Sequence, residues 1–144
     1  MVFSVSITHT PTPTPNTNSF NTNSSLYTVS RDGSFFIWNW PSPSDPLSLK
    51  QKHYLQLDHS TIRSCAFTDN LLGIGFDSGV FSLYALDGDD VNRIHHLSVS
   101  SNMIDTITLN QDGTWLALGS STLGQILVWE WVRHQLLSHV SRFK

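Results

Sequence analysis

The sequence predicts an all-β fold, and three observations predict it. A six-residue pattern of glycine, any residue, apolar, any residue, apolar, aromatic recurs three times along the 144 residues. Short apolar runs around each copy alternate with a period of two, the period of a strand with one buried face. Glutamate occurs once, at Glu130, so long helices rich in Glu and Lys are not expected.

The three copies are Gly33-Ser34-Phe35-Phe36-Ile37-Trp38, Gly79-Val80-Phe81-Ser82-Leu83-Tyr84 and Gly124-Gln125-Ile126-Leu127-Val128-Trp129. Repetition at this period is the mark of stacked repeat architectures. A second apolar run precedes each copy: Leu26 to Ser30, Leu71 to Phe76, and Trp115 to Ser120. The glycine between the two runs supplies the positive φ of a tight hairpin, most plainly in Asp32-Gly33. Each copy therefore reads as a hairpin of two inner strands.

An earlier strand leads into each hairpin: Val2 to Ile7, Ile62 to Phe67, and Ile104 to Leu109. A later one follows: His53 to Leu57, Ile94 to Ser98, and Gln135 to Val140. Four short antiparallel strands per unit of about 40–45 residues, ending in an aromatic, describe the blades of a β-propeller. The first blade is expected over 1–57, the second over 62–98 and the third over 104–131, with a divergent tail over 132–144. Within the first, residues 8–25 (THTPTPTPNTNSFNTNSS) are expected to form a disordered loop, and 41–51 (PSPSDPLSLKQ) a proline-rich insertion. The Thr-Pro pairs at 10–15 suit proline-directed phosphorylation; an unselected spacer is the favoured reading.

A lone blade cannot bury both its faces, so neighbouring blades must stack with ring side chains between them. Gly33, Phe35, Ile37, Trp38, Gly79, Phe81, Leu83, Tyr84, Gly124, Ile126, Val128 and Trp129 are the expected structural repeat positions. Trp38, Tyr84 and Trp129 are the expected fillers between sheets. Trp40 and Trp131 sit two residues beyond the first and third of these and are expected to be partly exposed. Closed propellers use 4–8 blades. Three blades are therefore expected to be part of a longer protein.

Composition bounds the function. Charged residues are 13% of the chain and the net charge is −3, with eight Lys and Arg scattered singly. That offers no basic stripe of the kind a stand-alone nucleic-acid binder uses. The single Cys65 cannot form an internal disulfide, which fits a reducing compartment. The N-terminal MVFSVSI lacks the pattern of a secretory leader, and no apolar run reaches membrane-spanning length. The chain is expected to be soluble and intracellular.

No site meets the requirements of catalysis or of cofactor binding. His95 and His96 are adjacent, so a strand sends them to opposite faces and away from a shared metal. Gly73-Ile74-Gly75-Phe76-Asp77-Ser78-Gly79 is followed by a strand, whereas a dinucleotide loop opens a helix. Asp87-Gly88-Asp89-Asp90 has Ser98, not Glu, at the twelfth position of a calcium loop. It reads as an acidic turn. Ser, His and Asp occur without nucleophile-elbow context or triad spacing. The expectation is a non-catalytic scaffold with no cofactor, no metal, no small-molecule substrate and no membrane partner.

Residues 71–131 resemble the periodic tryptophan protein 2 family of WD-repeat proteins. The resemblance lies in Leu71-Leu72-Gly73-Ile74-Gly75-Phe76-Asp77-Ser78-Gly79-Val80-Phe81, in Ile94-His95-His96-Leu97-Ser98, and most specifically in Leu123-Gly124-Gln125-Ile126-Leu127-Val128-Trp129-Glu130-Trp131. It extends to Leu26–Trp38 with its Val-Ser-Arg-Asp-Gly, covering 26–40 and 53–131 in all, with residues 1–7 as an added strand. The chain departs from the family after Trp131, at 41–51 where the family carries an acidic insertion, and at Tyr84, where a standard WD blade has Trp. The Asp-His-Ser-Trp hydrogen-bond set of WD blades is incomplete in every unit, so apolar packing is expected to hold them. The resemblance implies a middle slice of a longer protein with two propellers and a helical C-terminal region. It also implies a nucleolar scaffold of the small-subunit processome, working in early 18S pre-ribosomal RNA cleavage. Its implied partners are other processome proteins, pre-rRNA and box C/D small nucleolar RNA, met largely through the assembled complex. The competing expectation is a generic WD-repeat adaptor, such as a substrate receptor of a ubiquitin ligase.

Overall fold

The computed structural model describes residues 2–12, 21–40, 44–131 and 141–143. They form twelve strands in three four-stranded antiparallel sheets. The strands are β1 (Val2–Thr12), β2 (Asn21–Ser30), β3 (Ser34–Trp40), β4 (Ser48–Tyr54), β5 (Ile62–Phe67) and β6 (Leu71–Phe76), then β7 (Val80–Asp87), β8 (Asp90–Ser98), β9 (Thr106–Leu109), β10 (Trp115–Ser120), β11 (Gln125–Glu130) and β12 (Ser141–Phe143). Each sheet keeps sequence order: β1-β2-β3-β4, β5-β6-β7-β8 and β9-β10-β11-β12. No helix among the described residues is long and apolar enough to cross a membrane. The chain divides into two compact units, Met1–Leu55 and Gln56–Lys144. The first holds one sheet and the second holds two.

The sheets repeat in detail. In the first, the β1–β2 register shifts between Val2 and Ser4, and the β3–β4 register between Ile37 and Trp38. In the second, the matching shifts fall between Ile62 and Ser64 and between Leu83 and Tyr84. An extra residue on one strand of a ladder bends that strand and sharpens its twist. Finding the same two irregularities at the same ladder positions marks the sheets as copies of one unit.

The inner hairpins form where period-two alternation meets a positive-φ glycine. Gly33, Gly79 and Gly124 have φ of 83°, 78° and 59°. In the first unit, Tyr27, Val29, Phe35 and Ile37 lie on one face of β2–β3 and are buried. The Tyr27 and Phe35 rings stack at 5.8 Å. On the opposite face the Trp38 indole N–H donates to Thr28 Oγ1 at 3.0 Å.

The outer strands differ from expectation. The fourth strand of the first sheet is β4, Ser48–Tyr54, and not His53–Leu57, so residues 48–51 belong to a ladder and not to a proline-rich insertion. β8 likewise begins at Asp90, ahead of the expected Ile94. Both strands are mostly exposed, so no apolar alternation marks their starts in the sequence.

The expected disordered loop over 8–25 is corrected as well. The β1–β2 ladder continues past Ile7↔Leu26 to Thr12↔Asn21, which takes 8–12 and 21–25 into strand. β1 is an edge strand. An edge strand is where a residue without an N–H is tolerated, and Pro11 is the one proline within β1. Residues 13–20 lie outside the described residues. So does the expected strand Gln135–Val140; the fourth strand observed in the third sheet is β12, within the expected tail.

Candidate functional site

The second unit brings two sheets face to face. Leu71, Phe81 and Leu83 of the second sheet form one buried cluster with Ile104, Ile107, Leu116 and Leu118 of the third, with Ala66, Val99, Leu109, Leu127, Trp129 and Trp131 packed around it. The ladder registers dictate this. Phe81 pairs with Gly75 and Leu83 with Gly73, so both apolar side chains share a face with two glycines. A Cβ on Gly73 would lie 2.9 Å from Ile107 Cδ1, and one on Gly75 would lie 2.7 Å from Ile104 Cγ2. The glycines are thus the recesses into which the two isoleucines of the following blade fit. In addition, Ser64 Oγ donates to the Ile104 carbonyl at 2.8 Å.

The aromatic positions take three different roles. Trp129 meets Phe81 edge to face, at 5.3 Å and 82°, and so fills space between sheets. Tyr84 is 4% exposed, and burial pushes its phenol pKa up. Trp38 is half-buried in its own unit. Trp40 and Trp131 are both half-buried, and the Trp131 indole N–H donates to the Gly113 carbonyl. Ile126 departs from the repeat. It is 61% exposed where its counterpart Phe81 is fully buried.

Short polar clamps join the linkers before the second and third blades to the inner turns of those blades. In the second blade Asp77, in the turn, accepts from the Thr61 backbone N–H at 2.9 Å. In the third the direction reverses: Asp105, in the linker, accepts from the Ser121 N–H at 3.1 and 3.0 Å. The Thr61 N–H holds Asp77 below the usual carboxylate range, and the Ser121 hydroxyl and N–H do the same for Asp105. These aspartates stand in for the incomplete WD hydrogen-bond set.

His95 and His96 point to opposite faces, as adjacent strand residues do. His95 lies 5.5 Å from the Trp129 ring and 5.9 Å from Trp131, and burial lowers its pKa below 6.5. The unfolded chain then binds a proton at higher pH than the folded one, so stability is present above 6.5 and is lost as pH falls through the folded value. The lowered aspartates act the same way at lower pH, beginning near 3.8. Thermal melts from pH 7.5 to 2.5 are therefore expected to show two successive losses of stability. His95→Phe should remove the first loss alone. An unchanged upper step in that variant contradicts the assignment.

One cluster has no signal in the sequence. His96 Nδ1 lies 2.8 Å from Ser82 Oγ, and its Nε2 lies 3.4 Å from Asp58 Oδ2, which also receives Arg93 at 2.8 Å. Register brings it about, since Ser82 pairs with His96 across the β7–β8 ladder. Asp58 and His59 adopt φ of 47° and 63°, a left-handed turn that costs energy in non-glycine residues. The Asp58 carboxylate makes its contacts to Arg93 and His96 from that turn. The elements resemble a Ser-His-Asp relay, but Ser82 is fully buried and gives its hydroxyl no route to a substrate. The arrangement pins β8 to the blade linker. Among the described residues no group of three His, Cys, Asp or Glu side chains could hold a metal. A groove of about 780 Å³, lined in part by Leu86, Asp87, His95, Asp112 and Trp131, opens beside the stacked faces.

Repeated four-stranded blades, positive-φ hairpin glycines and a ring-filled interface between successive sheets define a segment of a WD-repeat β-propeller. The structural comparison agrees: the β-propeller domain of Cps50 (Swd1) from Myceliophteria thermophila superposes with a TM-score of 0.60 at 14% identity, covering 74% of this chain and 34% of that one. No protein-family model matches the chain. Among curated relatives, the periodic tryptophan protein 2 homolog of Neurospora crassa is 43% identical over 74% of this chain. That of Schizosaccharomyces pombe is 39% identical over 74%, and that of Mus musculus 28% over 78%. The chain belongs to the periodic tryptophan protein 2 family. It spans 13%, 14% and 18% of the lengths of these three relatives.

Proposed function

We propose that this chain contributes propeller blades to a non-catalytic scaffold of the small-subunit processome in the nucleolus. Membership of the periodic tryptophan protein 2 family carries the reading. The blade geometry supports it. The described polar clusters serve to hold the blades, as in the Ser82–His96–Asp58 link and the Asp77 and Asp105 clamps. Stacked blades give a rigid body whose rims and outer strands offer several contact surfaces at once. With a net charge of −3, contact with pre-rRNA and box C/D small nucleolar RNA runs largely through basic partner proteins.

Tandem purification of the protein from nucleolar extract tests this. Other processome proteins, together with the 5′ external spacer of pre-rRNA, are expected in the eluate. Recovery of ubiquitin-ligase subunits in their place favours the adaptor reading, and recovery of neither RNA nor processome proteins overturns the proposal.

A further inference from the structure

The groove beside the stacked faces joins an apolar lining to carboxylates. Its lining runs from residue 70 to residue 131 and so comes from the two stacked blades themselves. Leu71 and Leu86 are buried there, and Trp131 is fixed by its indole N–H on the Gly113 carbonyl. Ile94, also in the lining, is an apolar residue where a solvated one serves. The β7–β8 register passes from Leu83↔His95 to Tyr84↔Arg93, which leaves Ile94 as the extra residue of the bulge. The matching bulge of the first sheet passes from Ile37↔Gln51 to Trp38↔Leu49 and leaves Lys50 in that place. Bulges re-aim a side chain. Lys50 is exposed, and Ile94 is 39% exposed and lines the groove. Packing within the blade does not call for an isoleucine there, whereas a partner seated in the groove does.

Charge says what that partner carries. The turns at this end of the blades, within 68–72, 84–92 and 109–117, hold Asp69, Asp87, Asp89, Asp90 and Asp112 and no Lys or Arg. Asp87 and Asp112 are exposed and line the groove, whose lining also lacks Lys and Arg. The Thr114 hydroxyl and N–H donate to Asp112 at 2.7 and 3.0 Å and hold its carboxyl below the usual range. Burial lowers the His95 pKa, so this ring adds no opposing positive charge at neutral pH. Carboxylates beside an indole suit a guanidinium, which forks onto the one and stacks on the other. We propose that the groove between the second and third blades docks an extended segment of a partner protein in which an arginine stands next to a bulky apolar residue. The arginine meets Asp87 and Asp112, and the apolar side chain covers Ile94.

The test is separate from the processome reading, since it uses only the chain and a synthetic peptide. Fluorescence anisotropy at low salt follows a labelled peptide of sequence GSLRLSG, which has an apolar residue on either side of the arginine and so fits either chain direction. A dissociation constant of about 100 μM is expected. Replacing the arginine by neutral citrulline, or Asp87 by asparagine, should weaken binding about tenfold. Asp45→Asn removes the same charge from the first unit and should change binding less than about twofold. Ile94→Ser should weaken it about fivefold and, because Ile94 is partly exposed, keep the β-sheet circular dichroism of wild type. Absence of binding up to about 5 mM peptide overturns the proposal. Equal binding of the citrulline peptide does so too, as does an Asp45→Asn loss as large as that of Asp87→Asn, which would mean general attraction to an acidic chain. Binding seen only after Arg133→Gln gives the groove to the chain's own following segment, and self-association abolished by Asp87→Asn gives it to a second copy; either result overturns the assignment to a partner protein.

Discussion

Replacing Phe81 with alanine is expected to lower the unfolding free energy of the second unit by about 3–5 kcal/mol, the range for deleting a fully buried phenylalanine. Phe81 is fully buried, belongs to the cluster that joins two sheets, and receives the edge of Trp129 at 5.3 Å. Alanine there removes the ring contact and leaves a cavity lined by Leu, Ile and Trp, which a close-packed interior fills only in part. The matched control is Phe36→Ala. Phe36 lies in the first unit, is only partly buried and carries Lys52 over its ring at 5.2 Å. Its truncation should cost clearly less. Urea unfolding followed by tryptophan fluorescence checks both, because Trp129 and Trp131 report on the stacked sheets. Equal losses in the two variants would mean that Phe81 packs no more tightly than a surface ring.

The second large effect separates two glycines of the same motif. Gly79 and Gly124 both have positive φ, which costs an L-residue roughly 1–2 kcal/mol. Their surroundings differ. A Cβ on Gly79 would lie 2.1 Å from the Ser100 carbonyl oxygen and 2.8 Å from that of Asn102, whereas one on Gly124 meets nothing within 4 Å. The Gly79 carbonyl also accepts from the N–H groups of Val99 and Ser100, both at 3.1 Å, and so ties the turn to the linker between blades. Gly79→Ala must therefore displace backbone and break those bonds. It is expected to cost about 3 kcal/mol or more, through strain and lost hydrogen bonds together. Gly124→Ala should cost about 1 kcal/mol, from conformation alone. Paired thermal melts decide, and equal losses in the two variants contradict this account of Gly79.

The inner hairpins were legible in the sequence because two independent signals coincide there. Alternation buries Phe35 and Ile37, or Phe81 and Leu83, on one face, and a glycine turns the chain just before them. The outer strands were less legible. β4 and β8 are largely solvated, so Lys52 and Arg93 satisfy their positions as well as any apolar residue, and only ladder register fixes their starts. The β1–β2 extension through Pro11 has no strand signal in the sequence, because proline argues against a central strand but not against an edge. The Gly73–Gly75 pair read only as small residues in packed sheet; that they admit Ile107 and Ile104 depends on contacts some thirty residues distant. The Ser82–His96–Asp58 link was invisible for the same reason, since register across a bulged ladder sets it.

Contact between the second and third blades is measured most directly by nuclear Overhauser effects on the methyl-labelled protein. The geometry predicts strong cross-peaks from the Gly73 α-protons to the Ile107 δ-methyl and from the Gly75 α-protons to the Ile104 γ-methyl. Cross-peaks within the second sheet, such as Ala66 to Gly73, serve as the internal standard. If those within-sheet peaks persist while both glycine–isoleucine peaks are missing, the two sheets fold but do not stack, contrary to the face-to-face arrangement described.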